Sequence, residues 1–336
     1  VLVGAAEWPD DAEVWVTAQS TGPLFIVRGG NSPVETVKLP SNAGPHITTF
    51  SPSRKFAYVA GMGNGDLFVI RAEDRQVVQT LKLGHGGTHQ ARPSPDGSVL
   101  LVAQAHSSSL VKVAVDEKAA SWTVSGNLVS FAAMAKRPIC TVFRDDGGRA
   151  YVSLLPNGLA IVDVPRMTVL NVLSTDGFVA CGMVKSRDGK TVIVAASGGG
   201  GHFYRLDTAS DTLTDAGTVG AADWHSLALS EDEQTGFATS PGSDELQVID
   251  LREPVVRKLP PIVLDPTPGT GNDQPDAMAV KGKTVFVTLR ASGKLAIVDV
   301  ERRTVTYRDL AAPVPPGVKI PMTCDTCALH GVTVRP

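Results

Sequence analysis

The chain lacks several features that would place it in a functional class at once. No apolar run is long enough to cross a membrane. No Lys/Arg stripe with interleaved aromatics is present and the formal net charge is -3, so nucleic acid is not an expected partner. No GxSxG elbow occurs, which leaves serine hydrolase chemistry without sequence support. The SGGGG segment at 197–201 is followed by neither Lys-Ser nor Lys-Thr nor a helix, so it reads as a flexible loop rather than a phosphate cradle. Ala328 after Cys327 breaks the CxxCH haem-attachment pattern. The opening VLVGAAEWPDD has no charged segment followed by an apolar one, so an exported chain is expected to have lost its signal peptide already.

What is abundant is punctuation. Gly (33) and Pro (23) are frequent in a chain that is 43% hydrophobic and 19% charged, which favours many turns and little helix. Short β-branched runs recur at EVWVTA (13–18), KFAYVA (55–60), SVLLVA (98–103), RAYVSL (149–154), TVIVAA (191–196), QTGFAT (234–239) and TVFVTL (284–289). Each follows a short apolar strand and a turn rich in Asp, Gly, Ser and Lys, and each precedes two further strands. Four antiparallel strands per repeat, seven times over, predict an all-β, seven-bladed β-propeller occupying 1–336 as a single domain. The chain begins on a second-type strand and closes on a first-type one, HGVTVRP. That last strand is therefore expected to complete the N-terminal blade and remove the open edge of the ring.

The repeat also aligns chemistry. At the start of each innermost strand stand His46, His89, Cys140, Cys181, His225, Asp276 and His330. Six of the seven are His or Cys, in a chain with seven His and four Cys in all. Equivalent positions of a closed ring converge on its axis, which places soft and borderline metal ligands around one point. The remaining His85, His106 and His202, with Cys324 and Cys327, fall in loops at the same end, called the top here. Long connections at 127–139, 263–275 and 311–329 are expected to wall its mouth.

Imidazole with thiolate suits copper, or zinc as the alternative, whereas calcium or magnesium would want more oxygen than Asp276 supplies. Seven positions cannot all reach one ion. Against this stands a plainer reading in which the column binds only channel water. Cys140 and Cys181 in neighbouring blades could be ligands or a disulfide, and these exclude one another. The CDTC pair reads as a disulfide pinning the loop before His330, with a metal clip or redox pair as alternatives.

The segments YVAGMGNGDLFVIRAEDRQVVQTL and LAIVDVERRTVTYRDL resemble the YVTN-repeat propellers, and Gly44-Pro45-His46 resembles the Pro-His of lactonase-like seven-bladed propellers. The resemblance covers essentially the whole chain and names no reaction. It implies a periplasmic or secreted protein. Three functions follow as expectations. The first is a metalloprotein in redox chemistry or metal handling, with a periplasmic redox or metal-transfer partner. The second is a lactonase-like hydrolase using channel His and Asp276, and the third an interaction platform without chemistry. If the protein is an enzyme, a metal-dependent oxidoreductase is expected ahead of a hydrolase.

Overall fold

A computed structural model describes residues 6–29, 32–84, 87–198, 200–220, 224–265, 273–314 and 329–336. They form seven four-stranded antiparallel sheets, with one turn of 3-10 helix at Ala132–Met134. Among the described residues no helix is long and apolar enough to cross a membrane. From the axis outward, blade 2 is Pro45–Phe50, Phe56–Gly61, Asp66–Arg71 and Val77–Lys82, and blades 3 to 7 repeat this order. Their innermost strands are Thr88–Pro93, Arg137–Phe143, Val179–Lys185, Ser226–Leu229 and Pro275–Lys281. Blade 1 is the composite predicted from the sequence, with Val332–Val334 pairing inside Val14–Thr17.

The second strands read as almost continuous apolar runs because both of their faces are buried between neighbouring blades. In blade 2, Ala57 and Val59 pack toward blade 1, while Phe56 and Tyr58 pack toward blade 3. Alternation therefore separates two apolar destinations rather than core from solvent. The core is accordingly divided into seven clusters, one at each junction between blades. Its closing member joins Val14 and Val16 to Phe286, Leu295 and Ile297 of blade 7.

The bottom turns explain the repeated Ser-x-Asp text. In blade 3, Ser94 Oγ donates to Asp96 (2.6 Å), Asp96 accepts from the Ser98 N–H (3.1 Å), and Ser94 Oγ accepts from the Val99 N–H (3.1 Å). Gly97 between them has φ +73°, a conformation that a side chain would strain. One expected loop is different: residues 127–130 extend the outer strand Ser121–Ser130 of blade 3, and Arg137–Phe143 has already begun by 139. The polar composition of SGNLVS hid an exposed edge strand there.

Hydroxyls at the top of second strands stitch one blade to the next. Thr17 Oγ1 donates to the His46 carbonyl (2.7 Å) and accepts from the Gly331 N–H (2.7 Å). Thr288 Oγ1 donates to the His330 carbonyl (2.5 Å), Thr239 to the Asp276 carbonyl, and Ser197 to the Trp224 carbonyl beside His225 (2.5 Å). These contacts fix the backbone of four column positions. Thr17→Val keeps the shape and removes both bonds, stranding a buried carbonyl and a buried N–H across the seam. The expected loss is about 1–3 kcal/mol by urea unfolding. A loss indistinguishable from zero would show that the hydroxyl is not part of the seam.

Candidate metal centre

The column residue of five blades coincides with a break in strand register. The shift between first and second strands falls at Pro45/Thr48, Thr88/Gln90, Pro138/Thr141, Ala180/Gly182 and Pro275/Met278. Those intervals contain His46, His89, Cys140, Cys181 and Asp276. A bulge inserts an extra residue and re-aims its side chain, here at the top end of the innermost strand. His225 and His330 reach the same place by standing just ahead of short strands, with their N–H groups bonded to Thr239 O (3.0 Å) and Thr17 O (2.9 Å).

Four of the predicted histidines form one cluster. The His46 ring stacks on His330 with centroids 3.9 Å apart and meets His89 edge-on at 4.4 Å; His330 meets His225 edge-on at 5.2 Å. Asp276, fully buried, lies between two of them: Oδ1 is 2.5 Å from His225 Nδ1 and Oδ2 is 2.6 Å from His330 Nδ1. Ligand atoms of His225, Asp276 and His330 all lie within 4.8 Å of one another. A residue the sequence reading missed completes the group. Arg290, 1% exposed, places Nε 2.8 Å from Asp276 Oδ2 and Nη2 3.3 Å from His225 Nε2.

The electrostatics follow from this packing. Burial, then the neighbouring His330, His89 and His225, hold His46 well below the usual imidazole pKa. Burial, then His330 and His225, push His89 down to about 3. Burial also takes His330 down to about 4, although Asp276 opposes it. For Asp276 burial alone would raise the carboxyl, but Arg290, His225 and His330 outweigh it and hold it well below the carboxylate range. At neutral pH the site is therefore an Asp–Arg ion pair beside three imidazoles, those of His46, His89 and His330, that resist protonation.

Hydrogen bonding decides which ring nitrogens keep lone pairs. Gln19 Oε1 accepts from His46 Nδ1 (2.6 Å), which leaves His46 Nε2 buried with no partner. His89 bonds the backbone of Ile139, and its Nδ1 is likewise buried without a partner. Asp276 sets one carboxylate oxygen against His225 Nδ1 and the other against His330 Nδ1, and so stands behind His330 as a carboxylate stands behind a metal-bound histidine, while Arg290 engages His225 Nε2. With Arg290 already neutralising it, Asp276 suits that supporting role better than direct ligation.

The remaining predicted residues are described only in part. Cys140 is half-buried, takes a bond from its own N–H to Ser153 Oγ (3.1 Å), and lines the channel that His225 and His330 also line. Cys181 is described by its backbone alone. His106 is exposed in the turn after Val99–Gln104. His202 opens the third strand of blade 5, stacked on Phe178 at 4.4 Å and 3.6 Å from Asp215, away from the axis. His85, Cys324 and Cys327 lie outside the described residues. No disulfide is found among the described residues, where Cys140 is the one cysteine whose side chain is described.

No protein-family model matches the chain, and no curated protein matches it in sequence. Solved structures do. A putative 6-phosphogluconolactonase from Bacteroides fragilis is similar at a TM-score of 0.70 and 14% identity, over 97% of this chain and 98% of that one. The chain shares the fold of lactonase-like propellers. Kuenenia stuttgartiensis hydrazine synthase is similar at a TM-score of 0.63 and 18% identity, covering 82% and 80%. A chain of the mitotic checkpoint complex is similar at 0.66 and 13%, again covering 82% and 80%. Likeness at these identities shows the propeller and leaves its chemistry to the residues. Membership of the YVTN-repeat family gains no family-model match.

Proposed function

We propose that the top of the channel binds a borderline first-row metal ion, copper ahead of zinc, on the imidazoles of His46, His89 and His330, with His225 held beside them between Asp276 and Arg290. Asp276 and Arg290 are its supporting shell. The observation that carries this reading is the pair of buried, partnerless lone pairs at His46 Nε2 and His89 Nδ1 in a cluster of imidazoles held neutral. A buried acceptor left unmade costs about 1–3 kcal/mol, and a cation satisfies several such acceptors at once. Metal binding also needs deprotonated ligands, a condition these rings meet without rearrangement. Copper stands first among divalent ions for nitrogen donors, hence the preference. The bound ion would supply redox or Lewis-acid chemistry at the head of the channel, or be handed to a partner. This goes with the expectation of an exported protein.

A lactonase-like hydrolase is the second reading, favoured by the Asp276–His330 contact and by the name of the Bacteroides neighbour. It needs an imidazole that takes a proton near neutral pH, and His330 at about 4 is too weak a base for that.

Protein purified without chelator or affinity metal is expected to carry, or to take up on dialysis against copper, a stoichiometric ion measured by elemental analysis. His46→Ala and His89→Ala should each weaken retention by about tenfold or more. Asp188→Ala, in a bottom turn, should leave it unchanged. Wild-type protein that takes up neither copper nor zinc, or variants that retain metal like the control, would end the metalloprotein reading in favour of an interaction platform.

A further inference from the structure

The channel leading from the imidazole cluster contains a cavity of about 380 Å³, within the range of small-molecule sites. His225 and His330 line one part of it and Arg92 another. Arg92 lies three positions beyond His89 on the innermost strand of blade 3, so it stands further from the top. It is half-buried, and no carboxylate among the described residues pairs with it. No Asp or Glu lines the cavity either, and Pro336, which does, makes no ion pair with Arg92. Asp276, the nearest acid of the column, is already committed to Arg290.

The surroundings of Arg92 hold its head group in one orientation. Its Nε donates to the Thr141 carbonyl of blade 4 (3.0 Å). The N–H of the same Thr141 donates to Gln90 Oε1 (2.7 Å), and Gln90 is only 5% exposed. Gln90 and Arg92 are two apart on one strand and therefore project to the same side. One residue of the neighbouring blade thus fixes both side chains. The guanidinium keeps its Nη1 and Nη2 donors, and Gln90 keeps its amide N–H donors, with no protein acceptor among the described residues. Desolvation lowers the Arg92 pKa, with Cys140 opposing it, but an arginine at this site stays charged. A recessed cation without an internal counter-charge is costly unless something anionic accompanies it.

We propose that Gln90 and Arg92 form a binding site for a small carboxylate in the channel, Nη1 and Nη2 each taking one of its oxygens and the Gln90 amide donating to one of them. Arginine presents two parallel N–H donors that match a carboxylate in this way. Met183, Leu227 and Met278 in the cavity wall suit the hydrocarbon part of such a ligand. The site uses none of the imidazoles and goes beyond the metal reading, so each can fail alone.

The test is calorimetric titration of chelator-treated protein with benzoate, and with benzamide as its neutral match. Benzoate is expected to bind and benzamide not. Arg92→Gln should weaken benzoate by about tenfold or more, since it removes one partner of a recessed charge pair. Gln90→Glu retains the acceptor for Thr141 and places an internal carboxylate beside Arg92, so it should abolish benzoate binding with the fold intact by circular dichroism. This second variant keeps the test open if Arg92→Gln does not fold. Elemental analysis of both variants should show metal uptake like wild type, which separates this site from the imidazoles. Equal binding of benzoate and benzamide, no heat with benzoate up to roughly ten millimolar, or benzoate binding retained in Gln90→Glu would overturn the proposal.

Discussion

Asp276→Asn will destabilise the ring by about 3–5 kcal/mol, measured by urea unfolding of metal-free protein near pH 7. Asp276 is fully buried and is the counter-charge of an arginine that is 1% exposed. Asparagine keeps the volume and one acceptor but leaves the Arg290 guanidinium desolvated and unpaired. The cost comes from the stranded cation, not from losing an attraction. Arg290→Met added to Asp276→Asn should therefore restore most of the stability, because removing both charges ends the mismatch. A single-variant loss below about 1 kcal/mol would mean the pair is solvated in solution. The same substitution should weaken metal retention by about 10–100-fold, the usual effect of losing the carboxylate behind a histidine ligand.

Stability should also fall steeply with acid. His46, His89 and His330 all have folded pKa values below the unfolded value near 6.5: His330 at about 4, His89 at about 3, and His46 well below. The unfolded chain therefore takes up protons below pH 6.5 that the folded ring refuses. Stability is full above the unfolded pKa and is lost as pH falls from there toward 4 and then 3. Three such groups give a slope on the order of 2–4 kcal/mol per pH unit near pH 5. Asp276 adds its share only at lower pH, since its folded pKa lies below 3.8. Unfolding free energies of chelator-treated protein from pH 7.5 to 5 check this, and His89→Gln should shallow the slope by about one third. A flat profile across that interval would show that the imidazoles titrate normally.

Much of this architecture was legible from periodicity. Seven β-branched runs, each flanked by the same turn chemistry, specify blades because a second strand buried on both faces has to be apolar throughout. The seam was legible because the chain opens and closes on complementary strand types. The column was legible because symmetry carries one repeat position to one axis, and four of its histidines with Asp276 do meet there. What sequence could not supply is which of the seven make contact. Arg290 sits in TVFVTLRASG, one residue past a second strand, and reads as an ordinary surface arginine at a loop. Gln19 follows Thr17 and Ala18 in the same inconspicuous way. Their importance lies in partners 14 and more positions away, fixed by blade geometry. The repeated Thr near the end of EVWVTA, QTGFAT and TVFVTL was a readable signal for the interblade hydroxyls, masked by its agreement with ordinary β propensity.

The seam places a time limit on the site. Thr17 and Gly331, which bond across it, are 314 positions apart, and His330 stands beside Gly331. At roughly 5–20 residues per second, a ribosome makes the second partner about 15–60 seconds after the first. Late in that interval a nascent chain can hold His46, His89 and His225 yet lack the imidazole stacked on His46. Blade 1 has an exposed edge for the same period. The imidazole cluster is thus reserved for chains whose translation has reached the closing strand, and on the metal reading proposed above truncated products should fail to take up the ion.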